Sequence, residues 1–353
     1  MALILADMVN AEQIGSYWDT LQETGGDTDP FLGAALFPAR KQLGLELSWI
    51  KGASGLPVSL APAAFDAKAS LRDRIGVKQI ETEMPFFREG MRINEKQRQD
   101  INNMLAASNS ALLAPIVRRI YDDAAELIRG ANVVPERMIM QLLSTGKIAI
   151  TSTSNALSYD YDYGLVTAQK TTISTDTLKW SATDTAQPGT DIITWQDEVE
   201  ERTGVRPTRA ICDRTTWGYL LNNKSFRLDI NTNGTTIVTD KILRSYILDK
   251  YGISVSVYSK KYAPSKGTTA KYFPSNVFTL IPTGNLGNTY YGTTPEESDL
   301  MTGNNSASVR IVNTGVAVTT YQEPHPVNTH TIVSEIVLPS FEQIDKIHIA
   351  TVA

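Results

Sequence analysis

The 353-residue sequence holds one cysteine, Cys212, and only three histidines, His325, His330 and His348. A lone cysteine excludes an intrachain disulfide and any multi-cysteine metal site, and it suits folding in a reducing cytoplasm. Basic residues form no block. With 33 Lys and Arg against 38 Asp and Glu, the net charge is −5, which argues against tight nucleic-acid binding through clustered cations. Long apolar runs are missing too, none approaching the roughly 18 residues of a membrane helix. The opening Met1-Ala2-Leu3-Ile4-Leu5-Ala6-Asp7 is too short, and lacks the basic lead, for a signal peptide. Nor is there a phosphate-binding glycine loop, a dinucleotide fingerprint or a nucleophile elbow. A soluble protein with no membrane contact is expected.

Apolar residues make up 42% and charged residues 20%, enough for a real core, and the length calls for two or three structural units. A helix is expected from Met8 to Glu23, with Ile14, Trp18 and Leu21 on one face and Gly25-Gly26 as its stop. Asp29-Pro30-Phe31-Leu32 and Phe37-Pro38 then read as an extended apolar arm that must lie on something. Alternation at Leu43, Leu45, Leu47 and Trp49 predicts a half-buried strand, and Ile80, Met84 and Phe86 predict its partner. The long Ala-containing stretch between them reads as the middle of an extended, functional loop.

Helical spacing follows. Leu113, Ile116, Val117, Ile120 and Leu127 predict one helix ending at Gly130 and Asn132, with Arg118–Asp122 and Arg119–Asp123 as solvent-side pairs. Pro135 opens a second helix carrying Met138, Leu142 and Leu143 inward and stopping at Gly146. From about 190 to 300 helices and strands alternate. Ile192, Trp195 and Val199 mark one helix, and strand Ala210-Ile211-Cys212 meets Asp213, an N-cap for a helix with Trp217, Leu220 and Leu221 inward. Ile242, Leu243, Tyr246 and Ile247 mark another, stopped by Gly252. Strands at 309–312, 316–321, 331–337 and 344–352 are expected to return to the first unit, leaving the α/β segment as a self-contained insertion.

No catalytic constellation stands out. The histidines lie in C-terminal β structure without a metal-ligand pattern. Asp160 and Asp162 lack the spacing of a calcium loop and read as a polar turn. Asp197, Glu198, Glu200 and Glu201 read as a solvated helix face. Lys260, Lys261 and Lys266 with Tyr258 and Tyr262 read as a hairpin loop, and Cys212 reads as a small core residue. The protein is expected to be no enzyme, with no cofactor and no metal.

The order of parts, an apolar arm, a long β loop, helices, an inserted α/β domain and closing strands, resembles the Hong Kong 97-type capsid fold, an α+β architecture. Local strings resemble the lambda-type phage major capsid family, capsid protein E. They are Asp29-Pro30-Phe31-Leu32 with Phe37-Pro38, Leu142-Leu143 with Gly146-Lys147-Ile148, Asp162-Tyr163-Gly164, Asp213 with Trp217, Val257-Tyr258-Ser259 with Tyr262, Phe273-Pro274, Tyr291-Gly292 and Leu338-Pro339. The resemblance implies an N-arm at 1–42, an E-loop at 43–94, a peripheral domain with spine helices at 95–189, an axial domain at 190–306 and closing peripheral strands at 307–353. It implies a shell subunit that assembles as hexamers and pentamers around double-stranded DNA in the virion of a tailed bacteriophage. Portal, separate scaffolding and decoration proteins are the implied partners, with packaged DNA touched weakly. Expected intersubunit contacts are Phe31, Leu32, Phe37, Trp49, Phe65, Arg72, Arg74 and Phe86; Trp217, Leu220 and Leu221 are the expected core of the axial domain. The alternatives are an encapsulin-like compartment, a carboxylate-dependent hydrolase using Asp160 and Asp162, and a tail-tube subunit.

Overall fold

The computed structural model describes residues 9–25, 30–51, 78–106, 110–151, 158–231, 237–265, 267–303 and 307–353. Contacts divide the chain into two compact units. The first takes Met1–Ser48, Glu81–Arg137 and Asn288–Ser340; the second takes Trp49–Ile80, Met138–Gly287 and Phe341–Ala353.

The sheet of the first unit is built on the strand Val327–Pro339. Val316–Pro324 pairs antiparallel with it from Val327 to Glu335, and Phe86–Ile93 pairs antiparallel from Thr329 to Ile336. Thr289–Tyr291 takes up its last three residues, Ala39–Lys41 runs parallel to Thr289–Tyr291, and Ser308–Val312 pairs with Val316–Pro324. Onto this sheet pack the helix Ala11–Glu23 and the long helix Ser110–Thr145, sharing a core of Ile14, Trp18, Ala124, Leu127, Ile128, Val312, Val318 and Val333.

The long helix corrects the expectation of two helices broken at Gly130–Asn132. It runs through Pro115, Gly130 and Pro135. A mid-helix glycine costs about 1 kcal/mol and a proline about 3. Leu127, Ile128 and Ala131 before Pro135 are buried, as are Met138, Ile139, Leu142 and Leu143 after it. Each large apolar side chain buried contributes about 1.5–3 kcal/mol, so packing outweighs the local penalties.

In the second unit the strand order is Lys170–Thr172, His348–Thr351, Val277–Ile281, Arg209–Cys212, Ser254–Val257. The two outer pairings are parallel and the two inner ones antiparallel. Helices Pro188–Thr203, Arg214–Asn222 and Asp240–Tyr251 contribute Ile192, Trp195, Trp217, Leu220, Leu243 and Ile247 to a cluster with Trp180, Phe278, Leu280, Ala350 and Val352. The terminal strand was expected with the strands of the first unit; its apolar Ala350 and Val352 instead fill this core. Lys170–Thr172 also joins the sheet, so the α/β segment is not self-contained. Conversely, Thr289–Tyr291 and the helix Pro295–Thr302 belong to the first unit, although both fall within 190–306.

Local signals explain where the helices start and stop. Asn10, Asp213 and Thr239 accept backbone N–H bonds as N-caps, and Gly204 and Gly252 close their helices in the left-handed conformation that glycine adopts without strain.

Candidate assembly surfaces

The residues expected to bridge subunits fall into three groups. The first is the arm. Ala11 donates its N–H to Thr320 Oγ1 at 3.0 Å, and Trp18, 1% exposed, donates from Nε1 to Asn313 Oδ1 at 3.0 Å. Arg310 lies across Gly15 and reaches the carboxylates of Glu12 and Asp19. A Cβ at Gly15 would stand 2.3 Å from Arg310 Cδ, so this close approach requires glycine. Farther on, Gly33 donates its N–H to the buried Glu136 carboxylate at 2.9 and 3.2 Å. Phe37 is 1% exposed and its carbonyl accepts from Thr289 Oγ1 at 3.0 Å. Residues 11–23 and 32–41 are therefore docked on their own chain, the support the apolar arm was expected to need, although Leu32–Leu36 forms a short helix where an extended segment was expected. Phe37 retains no side-chain surface for a neighbour, whereas Phe31 and Leu32 are only half-buried.

The second group flanks the long loop. Strands Glu46–Lys51 and Lys78–Glu83 form a two-stranded sheet, as the alternation predicts. Leu47 is buried, but Leu43 is 73% and Leu45 45% exposed, because the strand starts only at Glu46. Phe86 is half-buried, with the Arg88 guanidinium 4.7 Å above its ring, and Arg88 pairs with Glu296. Trp49 sits in the first of the two strands, its side chain outside the described set. Phe65, Arg72 and Arg74 lie outside the described residues altogether.

The third group is the core of the α/β unit. Trp217 and Leu220 are fully buried and Leu221 packs beside them. Trp217 donates from Nε1 to Asp240 Oδ1 at 3.1 Å, with the Arg244 guanidinium 4.9 Å over its ring. Asp213, the N-cap before it, is buried. Burial opposes its charge, but the Lys271 ammonium at 2.8 Å and donors on Thr216 and Ser275 hold its carboxyl below the usual range. The polar loops at 222–224 and 285–288 are not uniformly exposed. Asn223 is buried and caps the helix Lys224–Ile230, while donating to the carbonyls of Thr183 and Ala186; Asn288 is buried too.

The remaining candidate chemistry is scattered. His330 donates from Nε2 to the Glu323 carboxylate at 3.0 Å and stacks on Tyr321. His348 is buried against Trp195, and burial together with the nearby Arg202 lowers its pKa to about 4. Asp160 and Asp162 lie on the strand Ser158–Asp162 rather than in a turn, with Asp162 paired to Lys147 at 2.8 Å. Arg206 pairs with Asp197 and Glu200 of the acidic helix face. The Cys212 thiol is buried and its pKa pushed up by burial. Among the described residues no three His, Cys, Asp or Glu side chains cluster as metal ligands, and no helix is long and apolar enough to cross a membrane.

One residue had no signal in the sequence. Glu335, in an apolar strand, is 1% exposed, and neither carboxyl oxygen has a hydrogen-bond partner. Burial pushes its pKa well above the carboxylate range, which favours the neutral acid over the charged form. Only the pairing of Val327–Pro339 with strands on both sides, Val316 and Phe87 being the neighbours of Glu335, makes its burial intelligible.

The sequence model of the family described as phage major capsid protein E matches residues 12–352. The chain belongs to that family. This phage capsid protein has solved relatives in fold over its whole length. It superposes on the candidate capsid protein of an E. coli CFT073 prophage with a TM-score of 0.60 and 17% identity, covering 98% of this chain and 99% of that one. A phage-related protein from Bordetella bronchiseptica RB50 gives 0.55 and 10%, covering 97% of each chain. The capsid of cyanophage A-1(L) gives 0.51 and 13%, covering 92% of each. At such identities these likenesses establish the fold, the mixed α+β Hong Kong 97-type capsid architecture. No curated protein sequence matches the chain.

Proposed function

We propose that this capsid-family protein is the shell-building subunit of a tailed bacteriophage, assembling with copies of itself as hexamers and pentamers into an icosahedral container for double-stranded DNA. The observation that carries this reading is the family match over residues 12–352, reinforced by a fold shared from end to end with phage capsid structures. The subunit is a building block of the virion and performs no chemistry of its own. The second unit, built on the Lys170–Thr172 to Ser254–Val257 sheet, corresponds to the axial domain around the five- and sixfold axes. The first unit corresponds to the peripheral domain. The loop expected at 51–78 to contact a neighbouring subunit lies, but for its two ends, outside the described residues. Many modest contacts closed by symmetry make such a shell stable even where each is weak. The net charge of −5 suits a wall that touches packaged DNA without gripping it. Scaffolding, portal and decoration proteins complete the assembly.

The test is expression of the full chain, followed by electron microscopy and nucleic-acid analysis of the purified product, alone and with its phage's scaffolding protein. Closed shells or capsomer rings are expected. Helical tubes, or subunits that stay monomeric in both conditions, would overturn the reading; shells enclosing a cargo enzyme would assign the protein to a compartment instead.

A further inference from the structure

In the first unit a cavity of about 150 Å³ lies between the long helix and the strands Phe86–Ile93 and Val327–Pro339. Glu335 stands opposite Phe87 in the strand register, and Val333 opposite Glu89. Paired residues share a face, as do residues two apart along a strand, so these four side chains point to one side of the sheet. Val333 packs there in a cluster with Leu127 and Ala131 of the long helix, which makes it the cavity side. Leu127, Ala131, Val134, Phe87 and Val333 give the cavity apolar walls, and Glu335 and Glu89 give it two carboxyl groups.

The charges around this cavity do not balance. Arg88 is the one cationic residue among those lining it, but with Ser334 it belongs to the opposite face of the sheet, where both bond Glu296. The long helix presents no charged residue to the cavity, and the nearest titratable group one strand away is Tyr291, opposite Val337. Glu335 is buried, and among the described residues neither of its carboxyl oxygens has a hydrogen-bond partner. A buried polar group in that state carries a desolvation cost that a partner would offset. Gly130 is the second sign. It lines the same cavity from the middle of the long helix, and a Cβ built on it would meet nothing within 4 Å. Packing does not demand glycine there, and glycine weakens a helix; what it does is leave the cavity open.

We propose that this cavity receives the side chain of an arginine from a second copy of the protein. The inference rests on the shell-building reading above. A guanidinium presents paired N–H donors in one plane, which matches a carboxylate whose two oxygens both lack partners, and its aliphatic stem suits the walls of Leu127, Val134 and Val333. The volume lies below the roughly 300–1,000 Å³ of a small-molecule pocket and fits one long side chain. A calcium or magnesium ion needs a shell of oxygen ligands, whereas this cavity offers carboxyl groups from two residues only, set in apolar walls. Glu335 meets the arginine as a carboxylate, so docking releases its proton to solvent.

Two measurements on the full-length chain test this. In dilute subunits with carbon-13 in the glutamate carboxyl groups, butylguanidinium is titrated at constant pH and followed by NMR, the Glu335 signal being assigned with Glu335→Gln. That signal is expected to move from the position of a neutral acid to that of a carboxylate, to respond less to butylammonium, and to stay still when Gly130→Met fills the opening. Self-association is then read by sedimentation over a concentration series. Glu335→Leu and Gly130→Met should each weaken it by about tenfold or more, while hydrogen exchange in Ser110–Thr145 is unchanged or slower. A merely structural role predicts no such loss, since an apolar side chain for an unpaired acid and a better helix former for glycine both favour the fold. No response of Glu335 to butylguanidinium, an equal response to butylammonium, or wild-type association in both variants would overturn the proposal. A wild-type chain that never associates would overturn the shell-building reading and the second copy with it; failure of the cavity alone shows as wild-type association that neither variant weakens.

Discussion

Truncating Trp217 to alanine tests the placement of the α/β core most directly. The indole is fully buried within the cluster that also holds Leu220, Leu243 and Phe278. Removing a buried aromatic ring costs about 3–5 kcal/mol through lost transfer energy and the cavity left behind. The bond to Asp240 adds about 1 kcal/mol; its loss leaves no orphan, because Asp240 keeps Arg214 at 2.8 Å. The total, about 4–6 kcal/mol, is comparable with the whole stability of many domains. Trp217→Phe keeps most of the ring and should cost about 1–3 kcal/mol, whereas Lys224→Ala, at an exposed position, should stay within about 0.5 kcal/mol. The chain has two units, so a single melting temperature mixes them. Segment-resolved hydrogen exchange under increasing urea separates them by reading Pro188–Thr203, Arg214–Asn222 and Asp240–Tyr251 apart from Ala11–Glu23. A loss below about 1 kcal/mol for Trp217→Ala, or a greater loss for Lys224→Ala, would refute the assignment of core and surface.

Burial of Glu335 predicts a pH effect of definite sign. Its folded pKa is raised, so above the ordinary carboxylate range the unfolded chain releases a proton that the folded chain keeps. Stability therefore falls as pH rises from about 5, by up to about 1.4 kcal/mol per pH unit until the folded group too loses its proton; Glu335→Gln should remove that slope in urea titrations run upward from about pH 5. His348 acts at lower pH. Its folded pKa of about 4 lies below the unfolded value near 6.5, so its contribution is present above that value and is lost as pH falls toward 4. This loss is on the order of 3 kcal/mol, and His348→Gln should show a flatter acid limb in the same titrations. Deleting Pro62 to Arg72 should leave soluble, folded subunits that form no closed shells; normal particles in the micrographs would remove the loop from the assembly contacts.

Much of this fold was legible because the signals are local. Asp213 before Thr216, Gly252 after Tyr251, and the spacing of Ile14 and Trp18 specify helix ends and faces whatever lies around them. The long helix was misread for the converse reason. Gly130 and Pro135 are local break signals, and only burial on either side of them shows why the helix continues. Strand partners were illegible as well, since nothing in His348–Thr351 announces that Val277–Ile281 and Lys170–Thr172 will flank it. Of the candidate contacts, the apolar character of Phe37 was plain, but its seat beside Thr289 depends on a residue some 250 positions away. Glu335 was invisible because a charged residue in a strand reads as a solvent-facing position until strands are known on both sides.

The place of His348–Thr351 in its sheet bears on when the subunit can exist at all. Among the described residues Lys170–Thr172 pairs with this strand alone, and Trp180 donates its N–H to the carbonyl of Val352. Both leave the ribosome long before their partners do. At about 5–20 residues per second, synthesis needs roughly ten to thirty seconds to pass from residue 172 to residue 351. Until then the ring of Trp180 lacks the cover of Ala350 and Val352, and from the time Val277–Ile281 is made its edge stays open. Such an edge can pair with another chain, so nascent chains crowded on one messenger risk joining wrongly before any of them is finished. Completion of the last strand is therefore a timing device: a subunit becomes competent to meet its neighbours correctly only once its own sheet is closed.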